Sequence, residues 1–219
     1  MKQKNIVTPK TARYFTLGEA SAQTETVWFV CHGYGQLANY FIQNFRELDL
    51  TKNLVVAPEG LHRFYWEKFS GRVVASWMTK EDRKDDINDY VNYLDAVYTE
   101  VLSEWRGKKV KINVLGFSQG TATVCRWLAN GKSHADALLL WAGAFPEDMD
   151  FGLSKPVFDR LKTYVIIGNA DNFISEEEVV KQQEFLAQHH VKHELIRFEG
   201  KHEIPAETLK KISAQLEEG

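Results

Sequence analysis

The chain has 219 residues, 44% hydrophobic and 26% charged, the proportions of an ordinary folded protein with a sizeable core. Its 27 basic and 30 acidic residues leave a formal charge of −3, which argues against the basic face of a general nucleic-acid binder. No run reaches the roughly 20 apolar residues of a membrane span, and the first residues lack the apolar segment of a secretory signal, so a cytoplasmic protein is expected.

In chain order, the first strand is expected at Arg13-Tyr14-Phe15-Thr16-Leu17, and a buried one at Thr26-Val27-Trp28-Phe29-Val30-Cys31. Leu37, Tyr40, Phe41, Phe45 and Leu48 then fall at helical spacing. Asn53-Leu54-Val55-Val56-Ala57 is a third strand. From Glu59 to Lys84 the chain is aromatic without clean periodicity, and reads as a binding connection at a strand's carboxyl end. Its stretch from Leu61 to Met78 has the makings of a lid or a wall. Asp85 to Trp105 follows the helical rule throughout, with Asp85 and Asp86 suited to a helix start. Val110 to Leu115 is a strand and Thr121 to Ala129 a helix.

Ala137 to Ala142 and Thr163 to Gly168 are further buried strands. Ser175 and Glu178 form a capping box, and His193 to Phe198 alternates like an edge strand. A last helix begins near Pro205 and carries Leu209, Ile212 and Leu216. Apolar runs alternating with helices imply a mostly parallel sheet with helices on both faces. Nothing divides the chain, so residues 1–219 read as a single domain. Cys31 and Cys125 both lie in apolar runs, which predicts two buried free thiols.

The sharpest local signal is Gly116-Phe117-Ser118-Gln119-Gly120. It sits between a strand and a helix, which makes G-x-S-x-G a nucleophile elbow. A serine hydroxyl is a poor nucleophile at neutral pH and needs a general base, itself oriented by an acid. The order expected after the elbow is acid, then histidine. Asp171 follows one strand, in Gly168-Asn169-Ala170-Asp171, and His202 follows the next, in Gly200-Lys201-His202. Ser118, Asp171 and His202 are therefore the expected triad.

Other histidines are less well placed: His62 lies in the aromatic segment, His134 in a polar loop, and His189, His190 and His193 around a helix end. Asp136, Asp150 and Asp159 are weaker acids for the role. An oxyanion needs two N–H donors. Gln119 opens a helix and offers one; Tyr34, in His32-Gly33-Tyr34-Gly35, offers the second. His32 reads as a structural residue beneath that loop. Trp66, Trp77 and Phe145 are the candidates for an apolar wall around a substrate.

These motifs, with Ala57-Pro58 and Gly200-Lys201-His202-Glu203-Ile204-Pro205, resemble the phospholipase/carboxylesterase family of α/β-hydrolases, which includes acyl-protein thioesterases. The resemblance implies an α/β-hydrolase fold without a large cap domain, and an enzyme acting on small carboxylic esters or thioesters. It implies no cofactor and no metal. Two departures stand out. Thr121 occupies a position where that family often has glycine, and the segment after Ala57-Pro58 is aromatic and charged. A peptidase or acyltransferase on the same fold is an alternative. So is a catalytically silent binding protein. Acyl-chain length and oligomeric state are not legible in the sequence.

Overall fold

The computed structural model describes residues 1–105 and 108–218. In chain order the elements begin β1 (Tyr14–Leu17), β2 (Thr26–Cys31), α1 (Ala38–Phe41), β3 (Asn53–Pro58), β4 (His62–Glu67) and β5 (Ser70–Ser76). They continue α2 (Arg83–Leu102), β6 (Lys111–Phe117), α3 (Gln119–Asn130), β7 (Ala137–Trp141) and α4 (Phe151–Phe158). Last come β8 (Lys162–Gly168), α5 (Glu176–Gln188), β9 (Glu194–Phe198) and α6 (Ala206–Glu218).

Seven strands form one sheet in the order β1-β3-β2-β6-β7-β8-β9. Only β1 runs antiparallel, against β3. β2, β3 and β7 are buried at every position, as strands covered on both faces must be. Their side chains alternate between two cores. Val27, Phe29, Val114, Leu138, Leu140, Val165 and Ile167 face the helices α2 to α5. Trp28, Val30, Leu115, Leu139, Trp141 and Ile166 face α1 and α6. Helices thus cover both faces, and each buried leucine or valine contributes about 1.5–3 kcal/mol over exposure.

Four tryptophans are fully buried: Trp28, Trp77, Trp127 and Trp141. Burying an indole is favourable only if its N–H is satisfied. Each has an acceptor: Asn53 Oδ1 at 2.9 Å, the His32 carbonyl at 2.8 Å, Asp95 Oδ1 at 2.9 Å and the Glu203 carbonyl at 2.9 Å, respectively. Both cysteines are free and buried, as their apolar runs predict.

Two expectations change. The helix expected over Leu37 to Leu48 is one turn of α1, continued as a 3-10 turn over Ile42–Phe45. The aromatic segment is not an irregular loop. It holds an antiparallel hairpin, β4 on β5, with a register shift between Tyr65 and Glu67. The hairpin is the largest insertion between sheet strands among the described residues, so there is no large cap. It is tied to the loop after β2, where the Gly35 N–H donates to the Ala75 carbonyl at 2.9 Å and the Ala75 N–H to the Gln36 carbonyl at 3.1 Å.

Candidate active site

β6 ends at Phe117 and α3 begins at Gln119, so Ser118 alone makes the turn. Its backbone sits at φ 53° and ψ −117°. A non-glycine residue there costs of order 1–3 kcal/mol and persists only where its surroundings impose it. Close packing imposes it. A Cβ on Gly116 would lie 2.3 Å from the Gly120 carbonyl oxygen, and one on Gly120 would lie 2.2 Å from that of Cys31. Only glycine lets α3 start this close to β6 and β2. The Ser118 N–H donates to the Trp141 carbonyl at 2.9 Å.

Asp171 and His202 come together because β8 and β9 are neighbours, in register from Tyr164↔Glu194 to Gly168↔Phe198. Past the strand ends the pairing continues: the Asn169 N–H donates to the Phe198 carbonyl and the Ala170 N–H to the Gly200 carbonyl, both at 2.9 Å. The two loops are thereby zipped. His202 Nδ1 lies 2.8 Å from Asp171 Oδ2. The other carboxylate oxygen accepts the Phe173 N–H at 2.8 Å. The Asp171 side chain is fully buried and that of His202 is 19% exposed. A buried carboxylate with both oxygens occupied holds the imidazole with Nδ1 protonated and leaves Nε2 as an acceptor.

The His202 ring lies between Phe117, with ring centres 4.9 Å apart, and Phe173, at 4.7 Å. Ser118 and His202 line the same cleft, whose volume is about 380 Å³. Among the described residues their side chains make no hydrogen bond to each other. Such bonds in unliganded sites often tighten only with substrate in place.

Gln119 is the first residue of α3, so its N–H has no partner within the helix. Across from it, the Gly33 N–H is taken by Gln36 Oε1 at 2.8 Å and the Gly35 N–H by Ala75. The Tyr34 N–H between them pairs with no acceptor among the described residues. Gly33 packs on the Ser118 side chain; a Cβ there would stand 3.1 Å from Ser118 Cβ. The arrangement can offer two amides on one side of Ser118 and an imidazole on the other.

His32 is fully buried. Its Nδ1 lies 2.7 Å from the Gly33 carbonyl and its Nε2 accepts the Gly60 N–H at 2.9 Å. Burial pushes its pKa down to about 4, against smaller opposing effects of the Gly33 carbonyl and Glu59. It is a neutral strut under the Tyr34 loop, with both nitrogens used. The remaining alternatives are also occupied. His62 pairs with Asp86 at 2.9 Å, and His193 Nε2 with Gln183 at 2.8 Å. Asp136 accepts the Ile112 N–H, Asp150 caps α4, and Asp159 pairs with Lys155.

Of the three wall candidates, only Phe145 lines the cleft. Trp77 does not: it is fully buried in the core under His32, ring centres 5.0 Å apart, with its indole N–H spent. Trp66 does not either. It lies half-exposed on the hairpin, beside Tyr34 at 5.9 Å and under the Arg72 guanidinium at 5.6 Å. The cleft instead takes its other walls from Phe173, Ile174 and one face of α5.

One role was missed in the sequence altogether. The Gln119 side chain clamps the elbow to the end of the hairpin: Oε1 accepts the Trp77 N–H and Nε2 donates to the Met78 carbonyl, both at 3.2 Å.

A mostly parallel sheet of this order, with a serine alone on a strand-to-helix turn and an aspartate and histidine on the next strand ends, defines an α/β-hydrolase. The chain belongs to the family described as Serine hydrolase (FSH1), whose pattern it matches over residues 25–214. Zea mays acyl-protein thioesterase 2 superposes with a TM-score of 0.70 at 15% identity, covering 94% of this chain and 98% of that one. Esterase PE8 superposes at 0.67 with 18% identity, over 94% and 98%. A phospholipase/carboxylesterase from Dyadobacter fermentans gives 0.64 and 15%, over 94% and 96%. At such identities the likeness is one of fold. No curated protein sequence matches the chain. Among the described residues no helix is long and apolar enough to cross a membrane.

Proposed function

We propose that the chain cleaves carboxylic esters or thioesters through an acyl-enzyme on Ser118. The observation that carries this reading is the 2.8 Å contact of His202 Nδ1 with the buried Asp171 carboxylate, at a cleft that Ser118 also lines. His202 Nε2 takes the Ser118 proton as Oγ attacks the carbonyl carbon. The oxyanion rests on the amides of Tyr34 and Gln119, each such donor being worth about 3–4 kcal/mol in the transition state. The imidazolium then protonates the leaving alcohol or thiol. A water, deprotonated by His202, releases the acid and restores Ser118. Asp171 holds the tautomer and stabilises the imidazolium. Esterase and thioesterase are the named activities of two proteins sharing this fold, which supports the choice of acyl transfer with a good leaving group.

The test is turnover of a short-chain p-nitrophenyl ester by the wild type and by His202→Ala. Turnover lost in the variant supports the reading. No turnover by a folded wild type, with binding retained, would favour a silent binding protein. Acyl transfer to an added amine exceeding hydrolysis would favour an acyltransferase, and faster cleavage of the matching amide a peptidase.

A further inference from the structure

α5 presents Glu178, Lys181, Gln182 and Phe185 to the cleft, at the i, i+3, i+4 and i+7 spacing of a single helix face. Phe185 is the apolar surface expected beside an acyl chain. Gln182 is not. It is only 8% exposed, and its Nε2 is buried without a hydrogen-bond partner among the described residues. A buried amide donor left unpaired costs stability, so it calls for an explanation. The capping box at the start of α5 already engages Glu178, whose Oε2 accepts the Ser175 N–H at 2.7 Å. The amide of Gln182 is uncommitted.

We infer that Gln182 is a specificity-determining residue, and that the acyl group of the substrate carries a second oxygen, a neutral carbonyl, which accepts the Gln182 N–H when bound. This rests on the ester-cleaving reading above. The charges of the cleft favour a neutral acceptor over a carboxylate. Glu147 and Glu178 contribute two negative charges and Lys181 one positive. A plain alkyl chain would leave the amide buried and unpaired, which is how a polar site rejects an analogue lacking the matching group.

The test uses straight-chain p-nitrophenyl esters in which one keto oxygen is moved along the acyl chain. Each is paired with the unsubstituted ester of equal length. Wild type should favour one keto position over its partner by about 10-fold or more in kcat/KM. Gln182→Leu should lose that preference while turning over the unsubstituted esters as before. Gln182→Met is the second variant should leucine prevent folding, and both should melt at or above the wild type because an unpaired buried donor is gone. Equal rates within every pair, or a preference that Gln182→Leu retains, would overturn the inference while leaving the esterase intact. Both variants melting well below the wild type would assign the amide to the fold and overturn it too. No turnover of any ester by wild type would overturn the esterase reading itself and this inference with it.

Discussion

The Thr121 hydroxyl lies 2.7 Å from the carbonyl oxygen of Ser118 and 2.9 Å from that of Ala144. Thr121 is the residue that departs from the glycine common in the resembled family, and it is almost wholly buried. The departure has a mechanical meaning. The hydroxyl ties the strained elbow to the loop after β7, alongside the Thr121 N–H, which donates to the same Ser118 carbonyl at 3.0 Å. Thr121→Val keeps the shape and removes the hydroxyl. It should cost about 1–2 kcal/mol in urea unfolding, the effect of losing a buried hydrogen bond. It should also lower kcat more than it raises KM, because the elbow is less well held.

Asp171→Asn should keep the fold, since an amide can replace the carboxylate in shape. It should lower kcat by about 10³–10⁴-fold, the loss expected when the imidazole is no longer held in the productive tautomer. Steady-state kinetics beside a circular dichroism spectrum checks both halves.

His32 sets an acid limit on stability. Burial holds its pKa at about 4 in the fold, against 6.5 for an ordinary histidine. Between these values the unfolded chain binds the proton and the folded chain does not. The contribution is fully present above about 6.5 and is lost as pH falls toward about 4, with a slope of up to about 1.4 kcal/mol per pH unit. Urea titrations across that window should show the slope in wild type. His32→Asn, less stable throughout, should lack that part of it.

Cys31 and Cys125 are buried, and burial pushes both thiols up well above their ordinary range. The thiolate is the reactive form. A disulfide reagent such as Ellman's should therefore titrate neither thiol in the native protein, and both in guanidinium.

Much of this fold is legible in the residues, and the exceptions have physical causes. Continuous apolar runs announce β2, β3, β7 and β8 because strands covered on both faces need no polar alternation. The capping box of α5 appears in full, with Ser175 and Glu178 exchanging hydrogen bonds. Ser118, Asp171 and His202 were found because each follows a readable strand. The β4–β5 hairpin was hidden because Phe64, Tyr65 and Trp66 put aromatic groups on both faces and erase the period of two. Trp77 was taken for a wall because an aromatic residue near a site looks the same in sequence whether it faces a cleft or the core. Helix α4 went unread because Gly152 and Pro156 both lie within Phe151–Phe158. Gln182 reads as a solvated position; only its burial makes it conspicuous.

The central claim is that Ser118 is the nucleophile. Intact-mass measurement after treatment with a fluorophosphonate tests it directly, with the adduct mapped by peptide sequencing. Wild type should gain one phosphonyl group, on Ser118, and folded Ser118→Ala should gain none. Equal labelling of both proteins, or an adduct mapped to another residue, would contradict the account.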